Sequence, residues 1–100
     1  MGLAPEGKGN PMRCVLSVLG KDRPGIVAAM ANTLGDAGAN IVDISQTILG
    51  DIFSMTMIVA IADDSDVFNS LQENLKTTGE DLGVQTVLQR EDVFQYMYKI

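Results

Sequence analysis

The segment that most restricts the fold is a pair of β-prone runs, residues 40–49 and 52–62, joined by Gly50-Asp51. A two-residue loop with glycine first matches the twist of paired strands, so the spacing predicts a hairpin. Side chains alternate across a strand, so Phe53, Met55, Met57, Val59 and Ile61 share one face and Ile52, Ser54, Thr56 and Ile58 the other. The first face reads as core. The second is mixed enough to be partly wet or to meet a partner.

On each side of the hairpin lies a segment of helical period. Ile26, Val27, Met30 and Leu34 form one apolar stripe, and Val67, Phe68, Leu71 and Leu75 form another. Asp22 is a candidate cap for the first helix, with Pro24 in its first turn and Gly35 or Gly38 as its end. The second has Asp64 or Ser65 as cap and Gly79 as stop. Outside the helices, Arg13–Leu19 is apolar on both faces, which suits a strand in the middle of a sheet. Residues 83–90 alternate as a fourth strand. The order is βαββαβ, and right-handed crossovers leave few ways to assemble it. The expected fold is an α+β, ferredoxin-like sandwich: a four-stranded antiparallel sheet with two helices on one face. A short amphipathic C-terminal helix through Val93, Phe94, Met97 and Tyr98 is expected after it. Residues 1–11 read as a flexible lead-in, and residues 12–100 as a single domain with its tail.

With 100 residues and 46% hydrophobic content the chain can build one core. A domain of this size buries only somewhat more than roughly 60% of its unfolded surface, so a partner subunit would add stability and self-association is expected. Seven Lys plus Arg against thirteen Asp plus Glu, a net charge of −6, disfavours nucleic acid and anionic membrane as partners. Ser54 and Thr56 interrupt the most apolar run, and the N-terminus has no apolar signal region, so a cytoplasmic location is the default expectation. One cysteine and no histidine remove the intramolecular disulfide, the usual zinc and copper ligand sets and the commonest general base. Cys14 reads as a small buried hydrophobe. Other users of this architecture fall away in turn. The first strand lacks the stacking aromatics of an RNA-recognition domain, no C-x-x-C follows it, and iron–sulfur clusters need several cysteines.

The loop Gly20–Ile26, reading GKDRPGI, is followed by a helix and then by GANIVDI at the start of the next strand. This sequence resembles the ACT domain, whose pattern is a strand, a D-x-P-G-hydrophobic helix start and a G-x-N-I strand start. Asp22, Pro24, Gly25, Ile26, Gly38, Asn40 and Ile41 match that pattern in order. The resemblance covers Arg13 to Arg90, and the ending resembles small stand-alone ACT proteins of bacteria and archaea. It implies a regulatory homodimer that binds an amino-acid effector beside the loop. The site would lie near a subunit interface, with the second-strand start coming from the same or a neighbouring subunit. Carried over, Asp22 and Asn40 would bond the ligand's polar groups, and Gly25 and Ile26 would shape its floor. Arg23 is a candidate for the ligand carboxylate and Asp43 for its amine. Free N–H groups and the dipole at a helix start favour a carboxylate, and glycine permits close approach.

Each assignment has a plainer reading. Asp22 can be a cap only, Gly25 a packing residue, Asn40 a turn residue, and Arg23 and Asp43 solvated charges. Divalent-cation binding by Asp22, Asp43, Asp63 and Asp64 is a second hypothesis, although no spacing resembles the calcium loop D-x-D-x-D-G. A structural, protein-interaction dimer is a third. No nucleophile and base pair stands out in the loops, so the expectation is no catalysis, no cofactor and no metal.

Overall fold

The computed structural model describes residues 11–93. In chain order it contains β1 (Met12–Lys21), α1 (Ile26–Asp36), β2 (Asn40–Leu49), β3 (Ile52–Ile61), α2 (Ser65–Leu82) and β4 (Val84–Arg90). Residues 91–93 enter a further helical turn. Phe94, Met97 and Tyr98, expected to continue it, lie outside the described residues. The strands form one antiparallel sheet in the order β2-β3-β1-β4. This is the expected ferredoxin-like α+β arrangement, with β1 central. Its position follows from its composition: Cys14, Leu16 and Val18 are buried toward the helices, and Val15 is buried on the other face.

One face of the sheet carries the core. Cys14, Leu16, Val18, Phe53, Met55, Met57, Val59, Ile61, Val84 and Leu88 meet Ile26, Met30 and Leu34 of α1 and Leu71 and Leu75 of α2. Each fully buried aliphatic side chain of this kind contributes about 1.5–3 kcal/mol relative to exposure. The alternation of β3 appears as expected, with Ile52, Ser54 and Thr56 on the outer face exposed. Two-residue hairpin geometry is also confirmed. Gly50 has φ 65°, no described non-glycine residue has positive φ, and so only the first loop position needs the left-handed region.

The helix ends differ from expectation in three places. Gly25, not Asp22, occupies the N-cap of α1, and Pro24 precedes the helix rather than opening its first turn. The C-terminus of α1 closes with Gly38 N–H donating to Gly35 O at 3.0 Å and Ala39 N–H to Leu34 O at 2.9 Å. That pair of bonds satisfies carbonyls the helix cannot satisfy itself. Gly79 does not stop α2, which runs on to Leu82 and is capped by Gly83. Gly79 instead allows close approach to β4: a Cβ there would meet Thr86 Cγ2 at 2.7 Å and Val84 O at 3.0 Å.

Candidate functional site

β1 delivers the loop 22–25 to one end of the sheet. There Lys21 pairs with Ile52, and the Asp22 N–H donates to Asp51 O at 2.7 Å, tying the loop to the hairpin turn. The chain then turns through Gly25 at φ 89° and ψ 0°, a conformation open to glycine at little cost. Among the described residues no side chain caps the helix that follows, and no acidic residue stands in its first turn. The first N–H groups of α1 therefore keep their donor capacity, with the positive end of the helix dipole behind them. A Cβ on Gly25 would meet nothing within 4 Å, so this glycine serves conformation and access, not packing.

The neighbouring residues take distinct parts. Arg23 Nη1 donates to Leu82 O at 3.1 Å, placing a guanidinium at the C-terminal end of α2, where a cation is favoured. Asp22 is exposed. Ile26 is buried in the core and faces Met30 and Leu34 rather than solvent.

Asn40, Ile41 and Asp43 lie elsewhere. Asn40 opens β2 opposite Ala60, which also pairs with Arg13, so it stands at the far end of the sheet from Lys21 and Asp22. The two ends of β2 are separated by roughly 30 Å at about 3.3 Å per residue. Ile41 pairs with Val59 and Asp43 with Ile58, with a bulge between them that leaves Val42 as the extra residue. The Asp43 carboxylate accepts from the Ile44 N–H at 2.8 Å, a local bond on an exposed strand. The seven candidate residues thus form two groups within one chain: Asp22, Arg23, Gly25 and Ile26 at one end, Asn40, Ile41 and Asp43 at the other. Pockets of about 260, 400 and 300 Å³ occur on the surface, and none of these three is lined by any of the seven.

Four carboxylates named for a cation are dispersed as well. Asp64 caps α2, accepting from the Asp66 N–H at 2.8 Å and the Val67 N–H at 3.4 Å, and Asp22 stands at the opposite end from Asp63. Among the described residues no group of three or more Cys, Asp or Glu converges as a metal site. Asp51 and the Leu82 carbonyl were not foreseen as partners of the loop. Fifty-nine residues separate Arg23 from Leu82, and no local pattern signals that bond.

A model of the ACT domain matches residues 13–89. The chain belongs to the ACT domain family. The UPF0237 protein MJ1558 of Methanocaldococcus jannaschii is 48% identical over 88 residues, 88% of this chain and 98% of that protein. The UPF0237 protein lmo0533 of Listeria monocytogenes is 44% identical over 89% of this chain and all of its own length. Among solved structures, an ACT domain protein from Streptococcus pneumoniae superposes with a TM-score of 0.75 at 36% identity, covering 89% of this chain and 100% of that one. ACT domains are regulatory, ligand-binding modules. None of the described helices is long and apolar enough to cross a membrane.

Proposed function

We propose that this ACT domain is an amino-acid sensor that acts as a homodimer and shares each ligand site between two copies. One copy supplies Asp22, Gly25 and the uncapped start of α1 to the effector's carboxylate and polar groups. The other supplies Asn40, with Ile41 and Asp43 beside it. The observation that carries this reading is the division of the family motif between opposite ends of one sheet. A single amino acid cannot span roughly 30 Å, so two halves that act on one ligand must come from two chains. The open helix start with Gly25 at its N-cap supports the carboxylate assignment.

A thermal-unfolding screen against the twenty amino acids tests binding. A ligand at 100 times its dissociation constant adds about 2.7 kcal/mol, and each kcal/mol moves the midpoint by roughly 4–8 °C in a domain of this size. Complementation then tests the sharing. Gly25→Asp places a carboxylate where the ligand's would sit, and Asn40→Ala removes the opposite half, so each variant alone should bind nothing. After subunit exchange, an equal mixture should recover about one quarter of the wild-type sites, because half of the dimers are mixed and each holds one intact site. A mixture that stays inert, with the wild type binding normally, would put both halves in one chain. No shift with any amino acid would remove the sensor reading.

A further inference from the structure

We infer that Arg23 is the positioning residue of the effector loop: by bonding the end of α2 it fixes Gly25 and the start of α1 in place. The inference rests on the sensor reading above, which gives Arg23 no part, and adds how that site is held. β1 lies between β3 and β4, so the loop that leaves it has a neighbour on each side. On the β3 side, the Asp22 N–H donates to Asp51 O at 2.7 Å. On the β4 side, Arg23 Nη1 donates to Leu82 O at 3.1 Å, two residues before β4 begins. The loop is held between the two. Its base is close-packed on the β4 side as well. Gly20 pairs with Val84, and a Cβ on Gly20 would meet Val84 Cγ1 at 2.7 Å and Cα at 2.9 Å.

The end of α2 lacks what Arg23 brings. Among the described residues no base stands in the last turn of α2, which carries Glu80 and Asp81 where the helix dipole favours positive charge. Gly83, at φ 74°, turns its N–H back onto the Glu80 and Gly79 carbonyls. The Leu82 carbonyl is one of the last four that a helix cannot satisfy itself, and the Arg23 guanidinium takes it. The Leu82 side chain packs against the core, so the acceptor is itself anchored.

From Arg23 the constraint reaches Gly25 through stiff chain. The ring of Pro24 fixes its own φ near −65°, and its Cδ disfavours helical backbone at the residue before it, which is Arg23. Few soft torsions separate the two, so holding Arg23 orients Gly25. Gly25 stands at the N-cap with φ 89°, and its carbonyl accepts from the Ala29 N–H at 2.9 Å to close the first turn of α1. A displaced Arg23 therefore turns away the N–H groups assigned to the effector's carboxylate. The bond is exposed, and an exposed cation at a helix C-terminus changes an equilibrium by a factor of about two to five.

Amide hydrogen exchange of the full chain, read by NMR, tests the tie at the bonded N–H groups of Asp22 and Ala29 on either side of Arg23. Arg23→Met keeps the stem and removes the charge and donors. It should speed exchange at both amides about twofold to fivefold relative to the amide of Leu16 in the buried sheet. Arg23→Lys restores a charge and a donor and should recover most of the protection. Asp81→Lys added to Arg23→Met returns a cation to the helix end without tying the loop, so both amides should stay fast. No change relative to Leu16 in Arg23→Met would overturn the inference. Full recovery with Asp81→Lys would also overturn it, by reducing Arg23 to a charge at the end of α2. Any of the twenty amino acids that raises the wild-type midpoint is then titrated into the same variants. Its dissociation constant should rise about twofold to fivefold in Arg23→Met and stay raised in the double variant, and an unchanged constant would remove the positioning role. Should exchange follow this pattern while no amino acid shifts the midpoint, the tie between loop and α2 stands and the sensor reading falls.

Discussion

The chain is built from two strand-helix-strand halves, Met12–Leu49 and Ile52–Arg90, and they treat the same exposed groups in opposite ways. In the second half, Asp64 caps α2 with its side chain. There β4 buries Val84 and Leu88, and α2 reaches it through Gln72 Nε2 to Leu88 O at 3.1 Å and Thr86 Oγ1 to Leu75 O at 3.4 Å. In the first half, α1 starts on an uncapped glycine, and its closing strand β2 buries nothing. Both β2 and β4 are edge strands, but the helix-start N–H groups and the apolar side chains of the closing strand that the second half satisfies internally remain available in the first. Both halves build the core, the first through β1 and α1, and the contrast is confined to the start of α1 and to β2.

The largest expected effect lies in the closed half. Leu75→Ala should lower unfolding free energy by about 2–5 kcal/mol, the range for deleting a fully buried leucine side chain. Urea unfolding of dilute protein measures it. Gly79→Ala follows at about 1–3 kcal/mol, because its new Cβ meets a β4 backbone oxygen that cannot rotate away. In the open half, Ile44→Lys should change the same dilute-protein stability by no more than about 0.5 kcal/mol. A loss above about 2 kcal/mol from Ile44→Lys would mean that β2 is already part of the core and would erase the contrast.

The fold was legible in the sequence because each element carried its own period. Alternation in Phe53–Ile61, the helical stripes and the Gly50-Asp51 loop are local signals, and local signals with consistent chirality leave one topology. Helix ends were less legible. Asp22 and Gly79 have the chemistry of a cap and a stop, but the positive φ at Gly25 and the tight contact of Gly79 with Thr86 are set by tertiary approach. For the candidate site, the motif residues could be named, and their division follows from the topology rather than from their spacing: β1 and β2 are both antiparallel to β3, so the end of one and the start of the other lie at opposite ends of the sheet. Arg23 bonding the Leu82 carbonyl is a long-range event that no local pattern signals.

A smaller contrast compares the helix starts. Asp64→Ala should cost about 0.5–2 kcal/mol, since it orphans two N–H groups that the carboxylate accepts. Asp22→Ala should leave stability nearly unchanged, because the N-cap of α1 is Gly25, and should instead weaken the effector's thermal shift. Equal losses of stability from both substitutions would show that α1 depends on Asp22 after all and is not an open terminus.

At neutral pH the smallest effect concerns Cys14, on the central strand β1, where it pairs with Val59 on one side and Arg90 on the other. Burial pushes its thiol from 9.0 up to about 11, with the nearby Arg90 charge opposing the rise and Asp92 and Glu91 adding to it. The unfolded chain therefore releases this proton near pH 9, while the folded chain keeps it until about pH 11. Between those values the unfolded state binds fewer protons, so stability falls as pH rises, and the contribution is fully present below pH 9. Other groups titrate in the same window, but they are common to the wild type and to Cys14→Ala. The difference between their unfolding free energies should be level below about pH 9 and should then shift against the wild type as pH rises. A difference that stays level throughout would mean that the thiolate is solvated in the folded chain, and that β1 is not sealed where the two halves meet.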